Sequence, residues 1–552
     1  MNKKVCSFPI LFALLALLIG TCAVVFPASA QAAPTSTGSI TVSGTVASSY
    51  DAYQIFSANV VDGDSDAKIA TDLAWASDAA LPVLHSAGMP NSQTTAQEAA
   101  EWLNTDSHLT SALSAQLARS LQSSGAVPVA LNAGTTAELP CGYWLIVADD
   151  DAIAQDETGT APIMALVGGS AVTVKPKAAT PRVAKHVLED STAAWRKAAD
   201  ATVADDLYWR LSATVPAGLT AYDTYTVRFV DTMGAGLDPS KVAASMRVYV
   251  AAGTEGGFDA VQTGKDGRVG TEPAKGWTDI TAQCATKVAA DGKTFTVRTG
   301  DLIAALGGAD AFTAGARVVA VYNAPLNSAC NHGIAKGNPN EVYLRYPRSP
   351  LADQSGDAGF TRTPSDDACA YTWDLALTKR GSDGDKPLAG AVLSITDDRG
   401  RALAADGTWD AEGKATVTTG EDGRVTVSGV DSGKLEVREL KAPKGYTAFE
   451  GTRSVTVKAE GLDVDQVAAA KPKLTITAES PLRADNADGS TGSLEASLIN
   501  TPTGAPPSIT TGGFMPSTGD MAMYAAAAAA VAGAALIVVA LLVKRGGGSH
   551  KE

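Results

Sequence analysis

The chain is poor in aromatic residues, which fill 6% of its 552 positions, and it holds only five histidines and six cysteines. The histidines, at 85, 108, 186, 332 and 550, fall in no metal or triad spacing. Without a Cys-x-x-Cys or a Cys/His cluster, the common zinc sites are excluded. Phosphate loops, nucleophile elbows and zinc-protease signatures are also missing. The sequence therefore argues against an enzyme and asks for no cofactor or metal. One run, Asp62-Gly63-Asp64-Ser65-Asp66, has a calcium-loop flavour, but Ala67 stands where the loop needs glycine and Leu73 where it needs a bidentate glutamate. It reads as a solvated acidic turn. Basic blocks are absent between the two ends and the net charge is −15, which excludes a nucleic-acid footprint and suits a soluble protein outside the cell.

What is present begins at the ends. Lys3 and Lys4 precede an apolar run from Ile10 to Phe26, and the small residues Ala28-Ser29-Ala30 and Ala30-Gln31-Ala32 follow. This is the layout of a secretory signal peptide, predicted to occupy 1–32. The run is shorter than the roughly 20 residues of a membrane span. At the other end, Met515-Pro516-Ser517-Thr518-Gly519 precedes an apolar stretch, 521–543, and then Lys544 and Arg545. That stretch is long enough to span a bilayer, with the basic pair on the cytoplasmic side. The arrangement over 514–552 resembles the cell-wall sorting signal of sortase substrates, usually L-P-x-T-G, with Met515 in place of leucine. The resemblance implies that a sortase cysteine attacks the carbonyl of Thr518 and releases Gly519 with the tail.

Between the ends, plentiful Gly, Thr, Val and Ala with turn residues every ten or so positions favour β-sandwiches. The fold class expected is mainly β, with tandem immunoglobulin-like sandwiches. A first domain is predicted over 33–178, opening with strands at 39–46 and 52–56. Its middle is helical: Thr95-Ala96-Gln97-Glu98 fits a capping box, and Leu109, Leu113, Leu117 and Leu121 recur along one face. A second domain is predicted over 179–350, where Tyr225, Val227 and Phe229 alternate as in a half-buried strand. The polar stretch 351–369 reads as a linker. A third domain follows over 370–503, and 504–513 is a Pro/Gly/Thr spacer. Cys6 and Cys22 fall in the signal segment. Cys141, Cys284, Cys330 and Cys369 allow three pairings; Cys284 with Cys330 is preferred, since both lie in one predicted domain, with buried thiols as the alternative.

Three segments of the third domain carry a family likeness: Ala376-Leu377-Thr378-Lys379 with Pro387-Leu388-Ala389-Gly390-Ala391, then Leu435 to Tyr446, then Leu498-Ile499-Asn500. Together they resemble the collagen-adhesin B-type immunoglobulin-like domains of Gram-positive pilins. The middle segment is similar to the pilin E-box, Y-x-L-x-E-x-x-A-P-x-G-Y, with Leu435 for its first tyrosine and Val437 for its leucine. Such domains join a first-strand lysine to a last-strand asparagine by an isopeptide bond. The likeness implies Lys379 and Asn500 as the joined pair and Glu439 as the assisting acid. In the second domain, Val183 to Val187, Val227 to Thr232 with Gly236-Leu237, and Asn340 to Leu344 resemble the isopeptide-forming fimbrial domain. The implied trio is Lys185, Asp231 and Asn340, with Asn338 as a competitor. Burial drives a lysine toward its neutral, nucleophilic form and an acid toward its protonated form, which is the chemistry such a bond needs. No bond is predicted in the first domain, whose opening strands lack lysine.

Val172-Thr173-Val174-Lys175-Pro176-Lys177 resembles the pilin motif V-x-V-Y-P-K. The likeness implies Lys177 as the acceptor for the next subunit, with Lys175 as the fallback. A donor at Thr518 and an acceptor at Lys177 make a head-to-tail contact that repeats as an open fibre. The reading is a backbone pilin, secreted and anchored to the cell wall. Its implied partners are sortases, further copies of itself, minor tip and basal pilins, and peptidoglycan. The alternative is a monomeric wall-anchored adhesin or accessory pilin that binds a host ligand.

Overall fold

A computed structural model of the chain describes residues 36–504 apart from 45, 65, 66, 106, 178, 265 and 266. The expected signal peptide, spacer, sorting motif and membrane stretch lie outside the described residues.

The chain opens with β1 (Thr37–Val42), β2 (Ser49–Asp62), β3 (Lys68–Trp75), helices α1 (Ala80–Ser86), α2 (Ala96–Asn104) and α3 (Ser111–Ser123), then β4 (Val129–Asn132), β5 (Thr136–Pro140), β6 (Gly142–Ala148), β7 (Ile163–Val167) and β8 (Val172–Val174). One sheet runs β5-β1-β8 and the other β3-β2-β6-β7, with β4 on β2. The long β2 is covered on both faces. Tyr50 and Ala52 pack toward β1 and β8, while Tyr53 and Ile55 pack under the helices with Leu84, Leu117 and Leu121. The capping box forms: Glu98 N donates to Thr95 Oγ1 at 3.2 Å, and Thr95 N donates to Glu98 Oε2 at 2.9 Å. Leu109 falls off the expected face. Thr110 caps α3, so Leu109 precedes the helix and is exposed.

The second sandwich holds β9 (Arg182–Glu189), β10 (Ala194–Arg196), β11 (Ala198–Asp200), β12 (Tyr208–Val215), β13 (Arg228–Met233), β14 (Arg247–Ala252), β15 (Thr278–Asp279), β16 (Ala285–Val288), β17 (Thr294–Arg298), β18 (Ala316–Asn323), β19 (Asn338–Pro347), β20 (Phe360–Arg362) and β21 (Asp366–Tyr371). Its sheets run β10-β9-β12-β18-β14-β15 and β11-β21-β19-β13-β17-β16, with β20 on β19. Tyr225, Val227 and Phe229 enter the core between them, but the expected half-buried strand is not there: β13 starts only at Arg228, and Thr226 and Arg228 are buried as well.

The third sandwich holds β22 (Trp373–Gly381), β23 (Val392–Thr396), β24 (Ala402–Leu403), β25 (Trp409–Asp410), β26 (Val417–Thr418), β27 (Arg424–Val430), β28 (Gly433–Lys441), β29 (Tyr446–Thr447), β30 (Thr452–Glu460), β31 (Lys473–Ala478), β32 (Leu482–Asp488) and β33 (Ser493–Pro502). Its sheets run β27-β22-β33-β29, with β32 on β33, and β25-β24-β23-β28-β30-β31, with β26 on β23.

The stretch 351–369 is not a linker. β20 and most of β21 lie in it, and both pair with β19. The segment averages as polar because Asp, Ser and Gly fill its turns, yet Ala368-Cys369-Ala370-Tyr371 alternates with period two. Ala368 and Ala370 join the second core, while Cys369 and Tyr371 join the third. One strand is thus a wall shared by two cores. Asp200, 3% exposed, pins the same joint: Trp373 Nε1 donates to its Oδ2 at 2.7 Å and Ser432 N at 2.9 Å. The paired-cysteine expectation also fails, since Cys141, Cys284, Cys330 and Cys369 are all free thiols.

Removing the acceptor at Asp200 strands an indole N–H and a backbone N–H in a buried place, which costs about 1–3 kcal/mol. Asp200→Ala is expected to lower the unfolding midpoint and to speed hydrogen exchange at Ser432. Unchanged exchange there would show that Asp200 does not hold the joint.

Candidate crosslinking sites

In the second sandwich, β9 lies in one sheet and β13 and β19 lie in the other. Lys185 comes from β9, Asp231 from β13 and Asn340 from β19, and all three are 0% exposed. Antiparallel pairing sets Asp231 opposite Val342 and Met233 opposite Asn340. Asp231 and Asn340 thereby share a face, two residues out of step. Lys185 crosses the sandwich, and its Nζ donates to Asp231 Oδ2. Tyr322, on β18, links the group. Its hydroxyl donates to Asp231 Oδ2 at 2.9 Å and accepts from Lys185 Nζ at 2.9 Å and from Asn340 Nδ2 at 2.8 Å. The amine also lies 5.5 Å from the Trp209 ring centre. Burial pushes the Lys185 ammonium down to about 8, against the pull of Asp231, and burial likewise raises the Asp231 carboxyl. Asp231 Oδ1 and Asn340 Oδ1 are buried with no hydrogen-bond partner. A proton on the acid would turn one of these two acceptors into a donor.

The third sandwich builds a second trio differently. β22 and β33 are parallel neighbours, with Lys379 beside Leu498 and Gly381 beside Asn500. Lys379 and Asn500 therefore belong to one sheet, and Glu439, on β28, reaches across from the other. Asn500 Nδ2 donates to Glu439 Oε1 at 2.8 Å, and Lys379 Nζ stands 3.6 Å from that oxygen. The amine also donates to Leu498 O at 3.2 Å. Both ionisable side chains are fully buried, and burial pushes Lys379 down to about 8. The segment after Glu439 explains its aim. β28 alternates inward at Leu435, Val437 and Glu439, then Pro443 to Tyr446 turns the chain over to β33, where Tyr446 pairs with Pro502. The crossing brings Phe449 N to Glu439 Oε2 at 3.1 Å, which fixes the carboxyl. Asn500 Oδ1, like Asn340 Oδ1, has no partner.

Asn338 does not enter the first trio. Its side chain accepts from Asn331 N at 2.8 Å and donates to Asn331 O and Ala370 O, so it serves a turn. Asn340 is not on the last strand of its sandwich, because β20 and β21 follow it. Lys175 and Lys177 are both exposed just beyond β8, whose Val174 is pinned by parallel pairing with β1. The motif from Met515 to Gly519 lies outside the described residues. Sequence reading missed Tyr322, which looks like any core tyrosine in an alternating strand, and missed the contact of His332 with Cys330.

Residues 374–471 match the family described as SpaA, prealbumin-like fold domain. The matched stretch covers the third sandwich from β22 to β30, which is therefore similar to a SpaA prealbumin-like domain. Beyond that domain, the trypsin-resistant surface T6 protein of Streptococcus pyogenes serotype M6 is 29% identical over 175 residues. That match takes in 30% of this chain and 30% of the relative's length. Among solved structures, the T6 backbone pilin of the same serotype aligns over 85% of this chain and 98% of its own, at 17% identity and TM-score 0.46. The full-length major pilin SpaD of Corynebacterium diphtheriae aligns over 86% and 100%, at 15% identity and TM-score 0.41. The chain is thus similar to a SpaA prealbumin-like domain over 374–471 and, over about 30% of its length, to the streptococcal T6 surface protein.

An Asn500→Ala chain keeps Lys379 as a titratable amine. Unfolded, that amine holds its proton up to about 10.5; folded, only up to about 8. Between those values the unfolded state binds more protons, so stability rises with pH. Urea unfolding of Asn500→Ala should show this rise relative to Asn500→Ala/Lys379→Met. Parallel pH profiles of the two would show that Lys379 is not held toward neutrality.

Proposed function

We propose that the chain is the structural shaft subunit of a covalent pilus on a Gram-positive cell wall, strengthened by internal Lys–Asn isopeptide bonds. The observation that carries this reading is the repetition of one chemistry. Two successive sandwiches each bury a lysine, a carboxylic acid and an asparagine, none more than 6% exposed, built from different strand geometry. In each trio the neutral lysine Nζ attacks the asparagine Cγ. The acid, Asp231 or Glu439, donates a proton to the carboxamide and takes one from the amine as the Nζ–Cγ bond forms. The Cγ–Nδ2 bond then breaks and ammonia leaves. In pilus assembly this self-crosslinking is the chain's own reaction, and for the sortase it is a substrate.

Polymerisation uses the two ends. A sortase cleaves between Thr518 and Gly519 and passes the Thr518 carbonyl to Lys177 of another subunit. Lys177 is exposed after a strand locked into the first sandwich, so a bond there loads the fold and not a loose tail. A housekeeping sortase would pass the finished fibre to peptidoglycan, and minor tip and basal pilins would complete it.

The intact mass of the secreted chain, under reducing conditions, should fall short by two ammonia molecules. Lys185→Ala and Lys379→Ala should each restore one. A full unmodified mass would remove the crosslinking reading. With the matching sortase supplied, wild type should form a covalent ladder and Lys177→Ala should not. A ladder lost only in Lys175→Ala would move the acceptor, and a monomer in every case would favour the wall-anchored adhesin.

A further inference from the structure

The joint between the second and third sandwiches carries an arrangement that pilus assembly does not use. The turn between β18 and β19 presents Cys330 and His332, and β22 presents Asp374. Cys330 Sγ lies 3.6 Å from His332 Nε2, and His332 Nδ1 lies 2.7 Å from Asp374 Oδ1. Asp374 Oδ1 also accepts from Gly429 N at 3.1 Å. A carboxylate offers only acceptors, so Nδ1 carries the proton and Nε2 turns its lone pair to the thiol. The order carboxylate, imidazole, thiol is that of an activated nucleophile. The imidazole and carboxylate are partly open, at 26% and 33% side-chain exposure, whereas Cys330 is 8% exposed at the edge of the second core, so only a small disulfide entering beside His332 would meet its sulfur.

The turn is held firmly. Asn331 N donates to Asn338 Oδ1 at 2.8 Å, Asn331 Nδ2 to Gly337 O at 2.8 Å, and Gly333 N to Thr372 O at 3.0 Å. Gly333 and Gly492, at φ of 79° and 74°, meet so closely that a Cβ on either would strike the other's backbone. The carboxylate thus comes from the third sandwich, and the group exists only while the two sandwiches are docked.

We propose that Cys330 is a thiol–disulfide exchange site, activated by His332 and positioned through Asp374, which takes small disulfides at the joint. Acyl transfer is the poorer fit. It needs free donors for an oxyanion, and the amides of Cys330, Asn331 and Gly333 are already bonded to Asn327 O, Asn338 Oδ1 and Thr372 O. Exchange at sulfur makes no oxyanion. His332 Nε2 takes the Cys330 proton as Sγ attacks one sulfur of the disulfide. A new S–S bond forms to Cys330, the old one breaks, and the leaving thiolate recovers the proton from His332. No further oxidant is consumed. Burial, with the nearby charge of Asp374, pushes the Cys330 thiol up to about 11, so little thiolate stands ready at pH 7 and attack depends on His332 Nε2 taking the proton.

The test uses purified full-length protein and oxidised glutathione, with the adduct located by peptide mapping. At pH 7, Cys330 should react ahead of Cys284, Cys141 and Cys369. His332→Ala should slow it about a hundredfold, and Asp374→Glu should keep more of the rate than Asp374→Ala. Near pH 11 the thiol ionises unaided, so wild type and His332→Ala should converge. Equal rates at pH 7, an adduct mainly on another cysteine, or a His332→Ala deficit of the same size at both pH values would each overturn the proposal.

Discussion

Two lysine amines lie where water does not reach, and each faces a carboxyl and an asparagine. Holding an ammonium there costs several kcal/mol, and a buried ion pair recovers that only with near-complete hydrogen bonding. Neither site offers it: each leaves an amide oxygen orphaned, and the first leaves a carboxyl oxygen orphaned too. The cheaper states are a neutral amine, beside a protonated Asp231 in the first site, or, beyond them, an amide that no longer ionises. Conversion to an amide removes the charge on Lys185 or Lys379 for good. The strain of burial and the proposed bond are therefore one feature: the cost that destabilises the separate side chains is what would drive the proposed joining.

The strand order gives that bond its place. Each sandwich closes by parallel pairing between an early strand and a last one: β1 with β8, β11 with β21, β22 with β33. Parallel strands send the chain in at one end and out at the other. Tension along the third sandwich enters at the start of β22 and leaves at the end of β33. With Lys379 joined to Asn500, the force crosses at that bond and everything from Arg380 to Ile499 is relieved of it. In the second sandwich, a Lys185–Asn340 bond relieves His186 to Pro339 but leaves Glu341 to Tyr371 in the path. β20 and β21 must then hold by hydrogen bonds and packing alone.

Much of this was legible in the sequence for definite reasons. Lys379, Glu439 and Asn500 each sit in a motif whose residues also set local geometry, so recognising Ala442 to Tyr446 amounted to recognising the turn that aims Glu439. Alternation placed Tyr225, Val227 and Phe229 in the core without any motif. The shared wall at β21 was hidden because average polarity over 351–369 masks a four-residue alternation, and because one strand serving two cores has no polar face. Tyr322 was hidden because its role comes from three strands meeting. The Cys330–His332–Asp374 group was hidden because its third member lies 42 residues beyond His332, in the next sandwich. Leu109 shows the reverse error, a period extended back beyond Thr110, the cap at which the helix starts.

The two trios differ in what their bonds would resist. Lys379 and Asn500 belong to adjacent strands of one sheet, so their bond opposes shear between strands that already share a ladder of hydrogen bonds. Lys185 and Asn340 belong to facing sheets, so their bond opposes the sheets sliding apart, where side-chain packing and a few side-chain hydrogen bonds, not a backbone ladder, stand in the way. Packing yields gradually and hydrogen-bonded ladders yield together, so the cross-sheet bond adds more where the fold alone is weaker. The joint between these sandwiches continues the same logic without a covalent link. β21 lends alternate side chains to both cores, and Asp200 ties Trp373 and Ser432 across the seam. A pull that separates the sandwiches must therefore expose two cores and strand a buried carboxylate at once, which makes the seam resist as part of the sandwiches and not as a hinge between them.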